Sequence, residues 1–274
     1  LIKIFLKNEL EKNQKIEVNI NYRLVFPNSK MHDYGYSSNK AYTIKNFLLR
    51  VTPFVNGSFE RDSNLNFDDQ FNTYDDISMD VTIPLKYIFH TNYIHSQNIV
   101  GNRKIINFNC SKLKDLSFFI FKNNEFEIIK NDHFNIVTNE EKILSIKNES
   151  FKRIKTFLSE NFSNYSNSKI LLTKRYFKEH SLYPYSDIPT YFKVFNQNTI
   201  NEINLFKVIL RDFLRTSINF NDRKYYWIRS GMEFYYLEKY IQKYHSDSEL
   251  IGSLSNIFLI KNHQISNEKM SEIF

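Results

Sequence analysis

The side chains that could do chemistry are few. The chain has seven histidines and one cysteine. His90 and His95 stand in an H-x-x-x-x-H spacing, which does not place both rings on one face of a strand. No acidic or thiol partner follows at a ligand distance, so both read as surface histidines rather than metal ligands. His32, His133, His180, His245 and His263 are isolated and read the same way. Cys110 has no second thiol to pair with, which excludes a disulfide framework and a thiolate metal site; it reads as a small buried hydrophobe. Lys207 and Arg211 are one helical turn apart, and Ser230 and Glu233 have the S-x-x-E spacing of a capping box. Taken alone, the two cations suggest a solvated helix face and Ser230 a helix N-cap. The N-x-S/T triplets at Asn56, Asn109, Asn148, Asn161 and Asn164 are expected by chance in so Asn-rich a chain.

Two helices must carry the 207–233 groups. Phe206, Ile209, Leu210, Phe213 and Leu214 recur at i, i+3, i+4, i+7 and i+8, the spacing of one buried helix face. After a polar connection from Ser217 to Lys224, Met232, Tyr236, Leu237, Tyr240, Ile241 and Tyr244 again fall on one side of a helix. The capping box predicts that this second helix begins at Ser230.

This pair resembles the zinc-binding core of the aminopeptidase N family of metallopeptidases. Active members carry H-E-x-x-H on the first helix and, nineteen positions after the last His, a Glu opening the next helix in a W-x-x-E-G-x-x-x-Y-L-E setting. Here Trp227-Ile228-Arg229-Ser230-Gly231 precedes Tyr235, Tyr236, Leu237 and Glu238, with one extra Tyr before the Leu-Glu pair. Counting back, Lys207-Val208-Ile209-Leu210-Arg211 stands where H-E-x-x-H belongs, and Ser230 where the third ligand belongs. Zinc needs lone-pair donors and a water in its open position. Lys207 and Arg211 are cations with donors only, and Val208 cannot take a proton from a metal-bound water. The resemblance thus implies a gluzincin-like frame whose zinc ligands and general base are gone. No cofactor is expected, although active relatives would hold zinc.

The resemblance also implies an order of parts. The fold class expected is α+β: an amino-terminal β-sandwich or saddle-like domain over 1–145, entered part-way, then the start of a thermolysin-like, mainly helical metallopeptidase domain over 146–274. In the first region Ile16 to Leu24, Phe47 to Val55, Met79 to Leu85, Lys104 to Cys110, Phe118 to Lys122 and Phe126 to Ile129 read as short strands. Asn28 to Asp76 outside the Phe47 run reads as loops. In the second, Phe151, Ile154, Phe157, Leu158 and Phe162 predict a helix, Lys169 to Phe177 a strand, and Leu250 to Leu259 a further packed helix. The family's G-x-M-E-N segment, whose Glu holds a peptide's free amino terminus, would fall near Ser181 to Thr190. That motif is missing there; Asp187 is close to the place and receives no role.

Composition narrows the partners. With 26 Phe, 18 Tyr, 5 Gly and 5 Pro among 274 residues, the chain reads as globular. Its formal charge of +7 is spread without a run or stripe, which argues against a nucleic-acid partner. No apolar run reaches the roughly eighteen residues of a spanning helix. The chain opens at Leu1 without a leader, which fits a processed or partial chain; the resemblance favours the latter and allows a secreted or cell-envelope location. The expectation is therefore a pseudopeptidase, a peptide- or protein-binding or scaffold module. The rivals are an active zinc aminopeptidase with ligands elsewhere and a β-plus-helical binding domain unrelated to peptidases.

Overall fold

The computed structural model describes residues 3–6, 9–28, 34–37, 41–45, 47–60, 74–114, 116–122, 126–163, 165, 169–181, 196–218, 221 and 224–245. The expected segment 182–190 with Asp187, the expected helix Leu250 to Leu259, His32, His263 and Asn164 lie outside them. Sheets and helices are both present, so the chain is of mixed α and β class.

The strands are β1 (Gly35–Tyr36), β2 (Tyr42–Lys45), β3 (Phe54–Val55), β4 (Ser58–Phe59), β5 (Asp75–Pro84), β6 (Ile88–His90), β7 (Ser96–Val100), β8 (Arg103–Leu113), β9 (Ser117–Phe121), β10 (Glu127–Lys130), β11 (Asn135–Thr138) and β12 (Lys169–Leu172). The helices are α1 (Glu141–Leu144), α2 (Asn148–Asn161), α3 (Lys174–Glu179), α4 (Gln197–Ser217) and α5 (Tyr226–Tyr244). Two antiparallel sheets, β1-β2-β9-β6 and β5-β8-β7, are joined by a third, β10-β11-β12, in which β11 and β12 run parallel. The β11–β12 crossover carries α1 and α2, as a parallel pair requires.

Side-chain alternation stacks these sheets into layers. On β5 the odd positions from Ile77 to Ile83 turn inward and meet Ile106 and Phe108 of β8 and Phe89 and Phe118 of the first sheet. The neighbours of Phe118 on β9, Phe119 and Phe121, point the other way, into a second apolar layer with Phe126, Val137 and Leu171. In β11 and β12 the alternate residues Ile136, Ile170 and Leu172 face the helices. The first sheet is therefore apolar on both faces, between β5-β8-β7 on one side and β10-β11-β12 on the other. The three-stranded sheet β10-β11-β12 takes strands from both sides of residue 145.

Helix α4 is the axis of the helical layer. Asn196 caps it, its Oδ1 accepting from the Thr199 amide at 3.0 Å. Residues 200–206 are buried on every side, against α1, α2, α3 and α5. At its other end the β layers reach in: Lys114 Nζ donates to the Ile218 carbonyl at 3.0 Å and Tyr74 Oη to the Thr216 carbonyl at 3.1 Å. A cation on the last carbonyls of a helix complements the negative end of its dipole.

Several sequence expectations are corrected. Ile16, Val18, Ile20, Tyr22 and Leu24 are exposed and form no ladder among the described residues, because alternation makes a strand only where a partner edge is available. Of Phe47 to Val55 only the last two residues are strand; Pro53 precedes them, and Asn56 and Gly57, at φ of 50° and 79°, turn the chain into the β3–β4 hairpin. Upstream, the Arg50 guanidinium holds the segment in place by bonding Asp75 and the Leu113 carbonyl. The strand expected to run to Phe177 stops at Leu172, where the Thr173 hydroxyl accepts the Tyr176 amide at 3.0 Å and starts α3. The strands at Met79 to Leu85, Lys104 to Cys110, Phe118 to Lys122 and Phe126 to Ile129 correspond to β5, β8, β9 and β10, and the Phe151 helix to α2. Strands β1, β2 and β4, which fall in the stretch read as loops, were not expected, nor were β6, β7 and β11.

Candidate functional site

The turn-by-turn geometry of α4 and α5 decides what the 207–233 groups can do. Phe206, Ile209, Leu210, Phe213 and Leu214 are all buried, as their spacing predicts, and Val208 is buried with them. A helix enclosed on this many sides leaves no solvated face for cations. Arg211 is accordingly buried, and Lys207 keeps 23% of its side-chain exposure. This corrects the solvated-face expectation: each charge is held because α5 supplies a carboxylate.

That carboxylate is Glu233. Arg211 Nη1 lies 3.1 Å from Glu233 Oε2, and Lys207 Nζ lies 4.0 Å from Glu233 Oε1. Lys207 also donates to the Ser181 carbonyl at 3.3 Å. Burial lowers the Lys207 pKa, the Glu233 carboxylate opposes this, and the Arg211 cation lowers it further. The i, i+4 cations of α4 and one carboxylate of α5 thus meet between two helices. Donors and acceptor cancel one another, and an ammonium and a guanidinium offer a metal no lone pair.

Ser230 does not begin the second helix. Helix α5 starts four residues earlier, at Tyr226, and its N-cap residue Tyr225 makes no side-chain cap bond. The capping-box pattern misleads because Glu233 is drawn to Arg211 and Lys207 rather than back to the helix start. Ser230 sits half-buried inside the helix and hydrogen-bonds the Tyr226 phenol. Burial would raise the pKa of that phenol, but the Ser230 bond and the Arg211 and Arg229 cations outweigh it and hold it below its ordinary value. Arg229 is buried, its guanidinium 5.1 Å from the Tyr226 ring centroid.

A second polar cluster lies further back along α4, and sequence reasoning missed it. Glu202 is buried and accepts from four side chains. Ser150 Oγ is 2.5 Å away, Arg153 Nε 2.9 Å, Tyr240 Oη 2.7 Å, and His245 Nε2 contacts it at 3.2 Å. Burial pushes the Glu202 pKa up, but the bonds from His245, Arg153, Ser150 and Tyr240 outweigh it and hold the carboxyl below its ordinary range. The Tyr240 phenol is pushed up by burial and by the Glu202 charge beside it. Its ring stacks on Phe206 at 4.1 Å between centroids. Ser150, Glu202 and His245 do not form a nucleophile-and-base relay, because serine and histidine both address the carboxylate rather than each other.

The remaining candidates also have places. His90 and His95 are half-buried rather than on the surface. His90 stacks on Phe121, with ring centroids 5.3 Å apart, and His95 meets Phe89 edge-on at 5.6 Å. Cys110 is half-buried in the β5-β8-β7 sheet, and burial raises its thiol pKa. Among the described residues no three His, Cys, Asp or Glu side chains are grouped so as to hold a metal ion, and no helix is long and apolar enough to cross a membrane.

The structure therefore defines a chain of mixed α and β class whose central helix pair buries an Arg211–Glu233 ion pair. No family model matches the sequence, and no curated protein matches it.

Proposed function

We propose that the chain is a metallopeptidase-like module, related in plan to the aminopeptidase N family, that has lost its metal and acts as a peptide- or protein-binding or scaffold module. One observation carries the reading. Positions 207 and 211 of α4, which stand in the sequence where the two His ligands belong, hold cations paired to Glu233 of α5. The order of parts supports it: antiparallel sheets, then a sheet with a parallel pair, then the helix pair. A buried Arg–Glu pair cannot give way to zinc without leaving a charge stranded, which costs several kcal/mol. The site residues in this reading are Lys207, Val208, Arg211 and Ser230 as former ligand and base positions, with Glu233 added as the group that neutralises them.

The test is the metal content of the complete protein, purified without chelator, together with hydrolysis of amino-acid anilides and short peptides. Zinc well below one equivalent and no hydrolysis are expected. One zinc per chain with turnover would overturn the reading and point to ligands elsewhere.

A further inference from the structure

We propose that His90 makes the seam between the β1-β2-β9-β6 sheet and the β10-β11-β12 sheet acid-sensitive, so that uptake of one solvent proton on its imidazole loosens the contact between these two layers. The inference is independent of the peptidase reading. It starts from alternation. Phe89 of β6 faces the β5-β8-β7 sheet, so its neighbours Ile88 and His90 face the other way, into the layer of Phe119, Phe121, Phe126, Val137 and Leu171. There the His90 ring stacks on Phe121, tilted by 29°, and lies 6.5 Å from Phe126.

The far side of the seam is already cationic. On β12, Lys169 shares a face with Leu171, which belongs to the seam, and burial lowers the Lys169 pKa. Asn135 pairs directly with Lys169, and Lys130 with Asn135, so the three form one row on that face. The Asn135 Oδ1 is buried without a hydrogen-bond partner among the described residues. From its own side His90 feels His95, beyond the end of β6. Burial, then Lys169, then His95 lower the His90 pKa to about 4. A neutral ring fits this half-buried seam; an imidazolium would lose part of its hydration beside Phe121 and Phe126 and would feel the Lys169 charge.

The sign follows from proton counting. Once the layers part, His90 titrates near its ordinary 6.5, so between about 6.5 and 4 the parted state binds more protons than the closed one. Closure is therefore strongest above pH 6.5 and weakens as the pH falls to 4.

Hydrogen exchange of β9 and β12 amides in the full chain, corrected for intrinsic rates, at pH 7.5 and 4.5 tests this. Wild type is expected to open on the order of tens of fold more at the lower pH than His90→Phe, which keeps the stacking and cannot be protonated. Equal acid responses in the two proteins would overturn the proposal. Should His90→Phe fail to fold, an NMR titration of the wild-type imidazole decides: a ring still neutral at pH 5.5 supports the proposal, and one titrating at 6.5 or above sinks it. Lys169→Met is expected to move that titration upward.

Discussion

Glu202 and Glu233 are both carboxylates buried against the α4–α5 pair, yet they are held in opposite ways. Glu202 collects donors from α2, from α5 and from His245 just beyond it, and only one of them, Arg153, is a permanent cation. Glu233 serves two cations of a single helix, Arg211 closely and Lys207 at 4.0 Å. The first arrangement ties three segments to one acceptor and leaves little charge to compensate. The second neutralises charge that α4 would otherwise bury alone. Saturation and neutralisation are different uses of the same functional group.

The comparison can be broken most directly at Glu202. Glu202→Leu strands Ser150, Arg153 and the Tyr240 hydroxyl together, and a loss of about 3–5 kcal/mol in urea unfolding is expected. A loss under 1 kcal/mol would show that the cluster is not the junction described. Glu233→Leu, which leaves Arg211 buried beside Lys207, should cost less, about 2–3 kcal/mol, because Lys207 retains solvent. Adding Arg211→Met to that variant should recover most of the loss, since an ion pair replaced by apolar groups of similar volume is often neutral. A double variant no better than the single would mean that Arg211 is needed for more than charge balance.

Acid sharpens the contrast. The Glu202 carboxyl sits below its ordinary value of 4.5, so the stability it contributes is complete above that pH and is lost as the pH falls below it. Urea midpoints measured from pH 5 downward should therefore drop more steeply in wild type than in Glu202→Gln. The smallest effect is expected at Lys207. Its contact with Glu233 is long and partly exposed, and Lys207→Met should change stability by less than about 1 kcal/mol.

These differences explain what the sequence could and could not reveal. The Phe206 to Leu214 face and the Met79 to Ile83 alternation were readable because burial repeats with a helix or strand period. The first two turns of α4 were not, because Gln197 to Asn204 is polar apart from Ile200 and Ile203. The polar side chains buried there are satisfied by distant groups: Asn201 by the Lys142 carbonyl, and Glu202 by its four donors. Such pairings join residues some fifty positions apart and leave no local pattern. Ser230 shows the converse error, a local pattern overruled by a contact from another helix. Lys207 and Arg211 were singled out by spacing alone, and the carboxylate that pairs with them, Glu233, was assigned to a cap.

Strand β9 has a consequence for folding. In Ser-Phe-Phe-Ile-Phe every residue after the first is apolar, and both faces of the strand meet apolar layers. Sliding it by one residue against β2 or β6 would exchange Phe118 and Ile120 for Phe119 and Phe121, a swap that hydrophobicity hardly penalises. Elsewhere such a slip would drive polar groups into a core. Alignment here must come from ring shape and from polar anchors such as the Thr91 hydroxyl, which donates to the Ser117 carbonyl at 3.0 Å. A strand enclosed by apolar layers on both faces is thus also one prone to misalign while the layers assemble, and Thr91→Val should slow refolding more than it weakens the folded state.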